Sequence, residues 1–172
     1  MTPSWDLFLT VFFIVGTAYG MMMQRERTVA TLLSIYVGIV MTQLLTEPIG
    51  QFFQGERTIS SFFVNSSVSP FTIQSILFLA TIVLVTTKSG ISGGRDSVSS
   101  LLSPFEMLSY SFLNTALIVT TVISFLPEES RASIIAQSNM AGFLASHHTW
   151  WLVLPVITLI AFGWNRRPLW RI

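Results

Sequence analysis

Apolar positions gather into five runs, Trp5–Met23, Val29–Leu45, Phe71–Thr87, Met107–Leu126 and Thr149–Trp164, and all charges but Asp6 fall between or beyond them. A helix rises about 1.5 Å per residue and the hydrocarbon core of a bilayer is about 30 Å thick, so about 20 residues cross it. The first four runs hold 19, 17, 17 and 20 residues, which predicts four transmembrane helices. The fifth holds 16, or about 24 Å of helix. It either crosses, lengthened upstream through Met140–Ser146, or lies partly in the interface.

Helix start signals punctuate the runs. Ser103-Pro104-Phe105-Glu106 reads as N-cap, proline at the first helical position and an acid in the first turn. Ser69-Pro70 opens the third span in the same way, and Pro127 before Glu128 and Glu129 starts a further helix with acids at its positive end. Two gaps carry patterns of their own. Ile49, Phe52, Phe53, Ile59, Phe62 and Phe63 approximate one face of an interfacial helix. Val98, Leu101, Leu102 and Phe105 repeat at helical spacing ahead of the fourth span. Trp150, Trp151, Trp164 and Trp170 flank the last run as an aromatic belt would.

Charge gives the spans a direction. Arg25 and Arg27 follow the first run, Lys88 and Arg95 the third, and Arg166, Arg167 and Arg171 the fifth, while the two remaining gaps hold only Arg57 and Arg131. With five spans and the N-terminus outside, seven basic residues are cytoplasmic and two are not. If the fifth run did not cross, the tally would be four against five. The positive-inside rule therefore favours five crossings, with the C-terminus in the cytoplasm. Asp6 ahead of the first apolar stretch, with the positive charge after it, predicts an uncleaved first helix rather than a signal peptide.

Composition agrees with the pattern. Of 172 residues 51% are hydrophobic and 10% charged, against about 25% charged in soluble domains. The expected fold is all-α, a single polytopic membrane bundle over 1–172 with four to five transmembrane helices and short amphipathic interfacial segments, solvated by a lipid bilayer. The net charge of +1 gives no footprint for nucleic acid. With no cysteine there is no disulfide, thiolate metal site or thiol nucleophile.

Little in the chain suggests catalysis. The first four runs carry no acid or base near their middles, where proton-coupled carriers usually need one. Asn114, about eight positions into the fourth run beside Ser111, Thr115, Thr120 and Thr121, is the most interior strongly polar residue. It reads as an interhelical hydrogen bond or as the lining of a solute path. Gly16 and Gly20 form a G-x-x-x-G step and Ser34 and Gly38 a similar one, which are packing surfaces within one chain or between copies. His147 and His148 point about 100° apart on a helix, so they cannot chelate from one face. Gly90, Gly93 and Gly94 make the third gap a tight loop beside Arg95 and Asp96. These residues call for no cofactor or metal.

The order of these features resembles the colicin V production protein (CvpA) family of bacterial inner-membrane proteins. The residues that carry the likeness are Trp5-Asp6 at the first helix, Gly16 and Gly20 within it, and Arg25-Glu26-Arg27 after it. The Gly-Ser loop from Ser89 to Asp96 and the serine of Gln137-Ser138-Asn139 complete it, over about residues 5–145. Three departures stand out. Met21-Met22-Met23-Gln24 replaces an Arg-Gly step, Ser99, Ser100, Ser103 and Pro104 replace spaced glycines, and Arg95-Asp96 stands in reversed order. The resemblance implies a non-enzymatic protein of the bacterial cytoplasmic membrane that assists toxin production and export or envelope homeostasis. It also implies a homo-oligomer or a membrane partner for export. A small channel or solute-transporting protein is the alternative, with Asn114 on the path.

Overall fold

A computed structural model describes residues 4–22, 25–53, 69–88 and 104–164. These form helices α1 (Trp5–Met22), α2 (Arg25–Phe53), α3 (Pro70–Lys88), α4 (Pro104–Phe125), α5 (Glu128–Gln137), α6 (Asn139–Ser146) and α7 (His148–Trp164). The fold is all-helical among the described residues. Four helices, α1 to α4, are long and apolar enough to cross a membrane, and a fifth span exists if the bent pair α6–α7 is taken as one. The chain is accordingly a membrane protein.

The starts follow the local signals. At α3 the Ser69 carbonyl accepts from Thr72 N–H at 2.8 Å, and at α5 the Pro127 carbonyl accepts from Arg131 N–H at 2.9 Å. The second helix departs from the expected boundaries. It begins at Arg25, so the basic cluster is its first turn, and it runs through Pro48 to Phe53. Ile49, Phe52 and Phe53 therefore extend α2 rather than open a separate interfacial helix. Pro48 costs that helix one backbone bond, because it lacks the N–H that would reach Leu44. Ile59, Phe62 and Phe63, and the repeat from Val98 to Leu102, lie outside the described residues.

The fifth run is α7, and it extends upstream only across a 69° break at His147. The His147 ring nitrogen Nδ1 lies 3.0 Å from the Phe143 carbonyl and its ring stacks on Phe143, so this residue shapes the bend. Among the described residues no cluster of three metal-ligating side chains occurs.

Helix α4 is the axis of the bundle. In its apolar window 61% of the residues are buried, against 11% in α1 and in α3. On one side Leu113, Ala116, Val119 and Ile123 pack with Leu9 and Phe13 of α1, Ala141 and Leu144 of α6, and Trp151. On another, Leu117 packs with Leu32 and Ile35 of α2 and Phe78 of α3. The outward faces are apolar as well. Leu7, Phe8, Ile14 and Val15 on α1, Ile76 and Val83 on α3, and Val156 and Ile160 on α7 are all exposed. Water would tolerate such a continuous surface poorly, and lipid solvates it.

Two aromatic positions divide the expected belt. Trp150 is exposed. Trp151 is not a belt residue. It is buried, with its ring centroid 6.2 Å from Phe112 and 6.1 Å from Phe143. Adjacent residues on a helix point about 100° apart, so one faces outward and the next inward.

Candidate functional site: a cleft beside Asn114

Glycine sets how closely α1 approaches α4. A Cβ added to Gly16 would stand 2.6 Å from Thr115 Oγ1, and one on Gly20 would stand 2.5 Å from Ser111 Oγ. The G-x-x-x-G step thus packs inside the chain. Ser34 and Gly38 do the same for α2 on α3. Ser34 Oγ lies 3.0 Å from Thr86 Oγ1, and a Cβ on Gly38 would stand 3.1 Å from the Phe78 ring.

These pairings leave a gap. Helix α1 packs on α4 and α6, whereas α2 packs on α3 and α4. A cleft of about 420 Å³ opens between them, with α4 as its floor. Phe12, Gly16, Tyr19 and Gly20 form one wall, and Thr28 and Thr31 of α2 with Ile82, Val83, Thr86 and Thr87 of α3 form the other. Ser111, Asn114, Thr115 and Ile118 lie beneath. Among the described residues no acidic or basic side chain lines it. The lining comes from the C-terminal half of α3, the N-terminal half of α2, the middle of α4 and α1 from Phe12 to Gly20. The cleft therefore sits toward the bundle end that carries Arg27 and Lys88.

Asn114 Nδ2 donates to the Thr28 carbonyl at 3.0 Å, an interhelical bond of the kind expected of a buried amide. Its Oδ1 has no hydrogen-bond partner, and neither has Ser111 Oγ. Most neighbouring hydroxyls have committed their protons to backbone. Thr31 donates to the Arg27 carbonyl at 2.8 Å, Thr87 to the Val83 carbonyl at 2.6 Å and Thr115 to the Ser111 carbonyl at 2.9 Å. Thr28 reaches the Gly20 carbonyl at 3.4 Å, tying the start of α2 to the end of α1.

A second junction joins distant segments. Ser138 caps α6 by accepting the Ala141 N–H at 3.0 Å, and its hydroxyl donates to Asp6 Oδ1. The same carboxylate oxygen accepts the Met140 N–H at 3.2 Å. Asp6 thus supplements the cap of a helix more than 130 residues away, which suits its negative charge.

Of the residues singled out by sequence, the structure brings together Asp6 with Ser138, and Gly16 and Gly20 with Asn114 around the cleft. Arg25 and Arg27 lie in the first turn of α2, with Arg27 exposed. Gly90, Gly93, Gly94, Arg95 and Asp96 lie outside the described residues. Sequence reasoning missed Thr28, Thr31, Thr86 and Thr87. Threonines repeated on α2 and paired at the end of α3 were the available signal. It also missed Tyr36, whose hydroxyl donates to the Leu152 carbonyl and links α2 to α7. Comparison with protein-family models, with curated proteins and with solved structures finds no match for this chain.

Proposed function

We propose that this chain is a non-enzymatic, multi-pass protein of the colicin V production type, assisting toxin production and export or envelope homeostasis. The observation that carries the reading is the Asp6–Ser138 junction. The resemblance marks these two residues separately, at opposite ends of the chain. Their meeting in one hydrogen-bonded cluster, 132 positions apart in sequence, supports the reading. In this reading the protein sits in the bacterial cytoplasmic membrane, N-terminus outside and C-terminus inside. It works as a homo-oligomer or with a membrane partner for export. The first turn of α2 and the segment from Gly90 to Asp96 then share the cytoplasmic side, where a soluble partner would meet them.

Complementation tests it. A colicin V-producing strain lacking its own CvpA-family protein should regain secreted toxin activity when this chain is expressed. Asp6→Ala and Ser138→Ala should each fail while accumulating normally in the membrane. A membrane-inserted wild-type chain that restores nothing would overturn the proposal.

One observation favours a second reading, a small solute-conducting protein: a cleft with the amide of Asn114 on its floor. Purified protein in liposomes should then pass small neutral solutes, and Asn114→Leu should abolish the flux. Absence of flux through the wild type would sink that reading.

A further inference from the structure

We propose that the cleft between α1 and the α2–α3 pair binds an uncharged amphiphile whose head is a hydrogen-bond donor, a hydroxyl or primary amide on an apolar chain. The charge of the occupant follows from the walls. Among the described residues no Lys, Arg or His lines the cleft to pair with an anion, and no Asp or Glu to pair with a cation. The polarity of the head follows from the direction of the hydrogen bonds. Thr31, Thr87 and Thr115 donate to their own helices, so each presents lone pairs. Ser34 gives its single proton to the Ala30 and Thr31 carbonyls, so Thr86 is the donor in their mutual contact. Among the described residues nothing satisfies Asn114 Oδ1, an acceptor on a residue that is only 7% exposed, and nothing takes up the proton of Ser111 Oγ. A head that both donates, to Asn114 Oδ1, and accepts, from the uncommitted Ser111 hydroxyl, resolves both, and a hydroxyl or a primary amide does so.

The apolar part follows from the walls and the opening. Phe12, Ile82, Val83 and Ile118 line the space. The outer flanks of α1 and α3 beside it are exposed apolar surface, so a chain can extend from the cleft into the surrounding lipid. A volume of about 420 Å³ falls within the ordinary range for small-molecule sites, about 300–1,000 Å³. An alkane alone would leave Oδ1 and Ser111 Oγ unpartnered, and a fatty acid would bring an uncompensated carboxylate into apolar surroundings.

The inference depends on neither toxin export nor flux, because binding is read directly on the purified full-length chain in lipid nanodiscs. The probes are three diazirine-bearing molecules of equal chain length: a primary alcohol, the corresponding fatty acid and the alkane. The alcohol should photolabel peptides of α1 and α4 saturably, and excess unlabelled long-chain alcohol should displace it. The fatty acid and the alkane should give at most about a tenth of that saturable signal. Asn114→Leu should lower the alcohol's saturable labelling about tenfold. Thr87→Val, at the exposed edge, should lower it severalfold without disturbing the fold. Equal labelling by the alkane or the fatty acid would overturn the proposal. So would alcohol labelling that both variants leave unchanged.

Discussion

Replacing Gly16 and Gly20 together by alanine tests whether α1 is seated on α4 through bare backbone. The new Cβ atoms would stand 2.6 Å from Thr115 Oγ1 and 2.5 Å from Ser111 Oγ. Ordinary contact begins near 3.4 Å, so each falls roughly 0.8–0.9 Å short. Neither neighbour can swing clear easily. Both side chains are short and buried, and at Gly20 the Ser111 Cα itself stands 3.2 Å away. Helix α1 must shift outward, loosening Leu9 and Phe13 from the α4 core. Overpacking costs about 1–3 kcal/mol per site, and alanine's better helix propensity returns about 1 kcal/mol each. The pair should lose about 2 kcal/mol, lowering the thermal midpoint in detergent by about 4–8 °C. Gly50→Ala is the control. Nothing lies within 4 Å of a Cβ there, so α2 should be unchanged or gain about 1 kcal/mol. In the Gly16→Ala background, Thr115→Ala should recover part of the loss, a coupling that circular-dichroism melts resolve through a double-mutant cycle. If the double alanine variant melts like the Gly50→Ala control, the close seating of α1 on α4 is wrong.

Two further outcomes follow from single side chains. Ser138→Ala removes the α6 cap and one of the two bonds to Asp6. It should cost about 2 kcal/mol and speed amide hydrogen exchange at Met140, Ala141 and Gly142. Unchanged exchange there would refute the junction. Trp151 Nε1 is buried without a partner, so Trp151→Phe exchanges an unsatisfied donor for a small void and should stay within about 1 kcal/mol of wild type. Trp151→Ala should cost about 3–5 kcal/mol, and a Phe variant as unstable as the Ala variant would contradict the assignment.

The first and third spans were legible to within a residue and the fourth to within three, because long apolar runs, opened in the third and fourth by Ser-Pro signals, leave the chain one economical arrangement. The second was legible only in its middle. Apolarity marks the hydrocarbon-spanning stretch, whereas α2 continues at both ends, through Arg25 and through Pro48 to Phe53. The 69° break at His147 was not legible, since Met140–Ser146 and the final run are each helix-compatible and no proline or glycine separates them. The site was half legible. Asn114 and the two glycines announced themselves by being unusual in apolar runs. What each faces depends on which helices α4 separates, and one sequence does not encode that locally. For the same reason nothing in the sequence linked Asp6 to Ser138.

The proposed topology has five crossings, with the bent α6–α7 pair as the last. Because the chain has no cysteine, single cysteines can report the side of each gap without background. Ser130→Cys at the start of α5 and Pro168→Cys beyond α7 bracket that last crossing. With a membrane-impermeant maleimide on intact cells, cysteine 130 should label at once and cysteine 168 only after permeabilisation, alongside a Glu26→Cys control. Labelling of both 130 and 168 from outside would place α7 in the interface and contradict the five-span account.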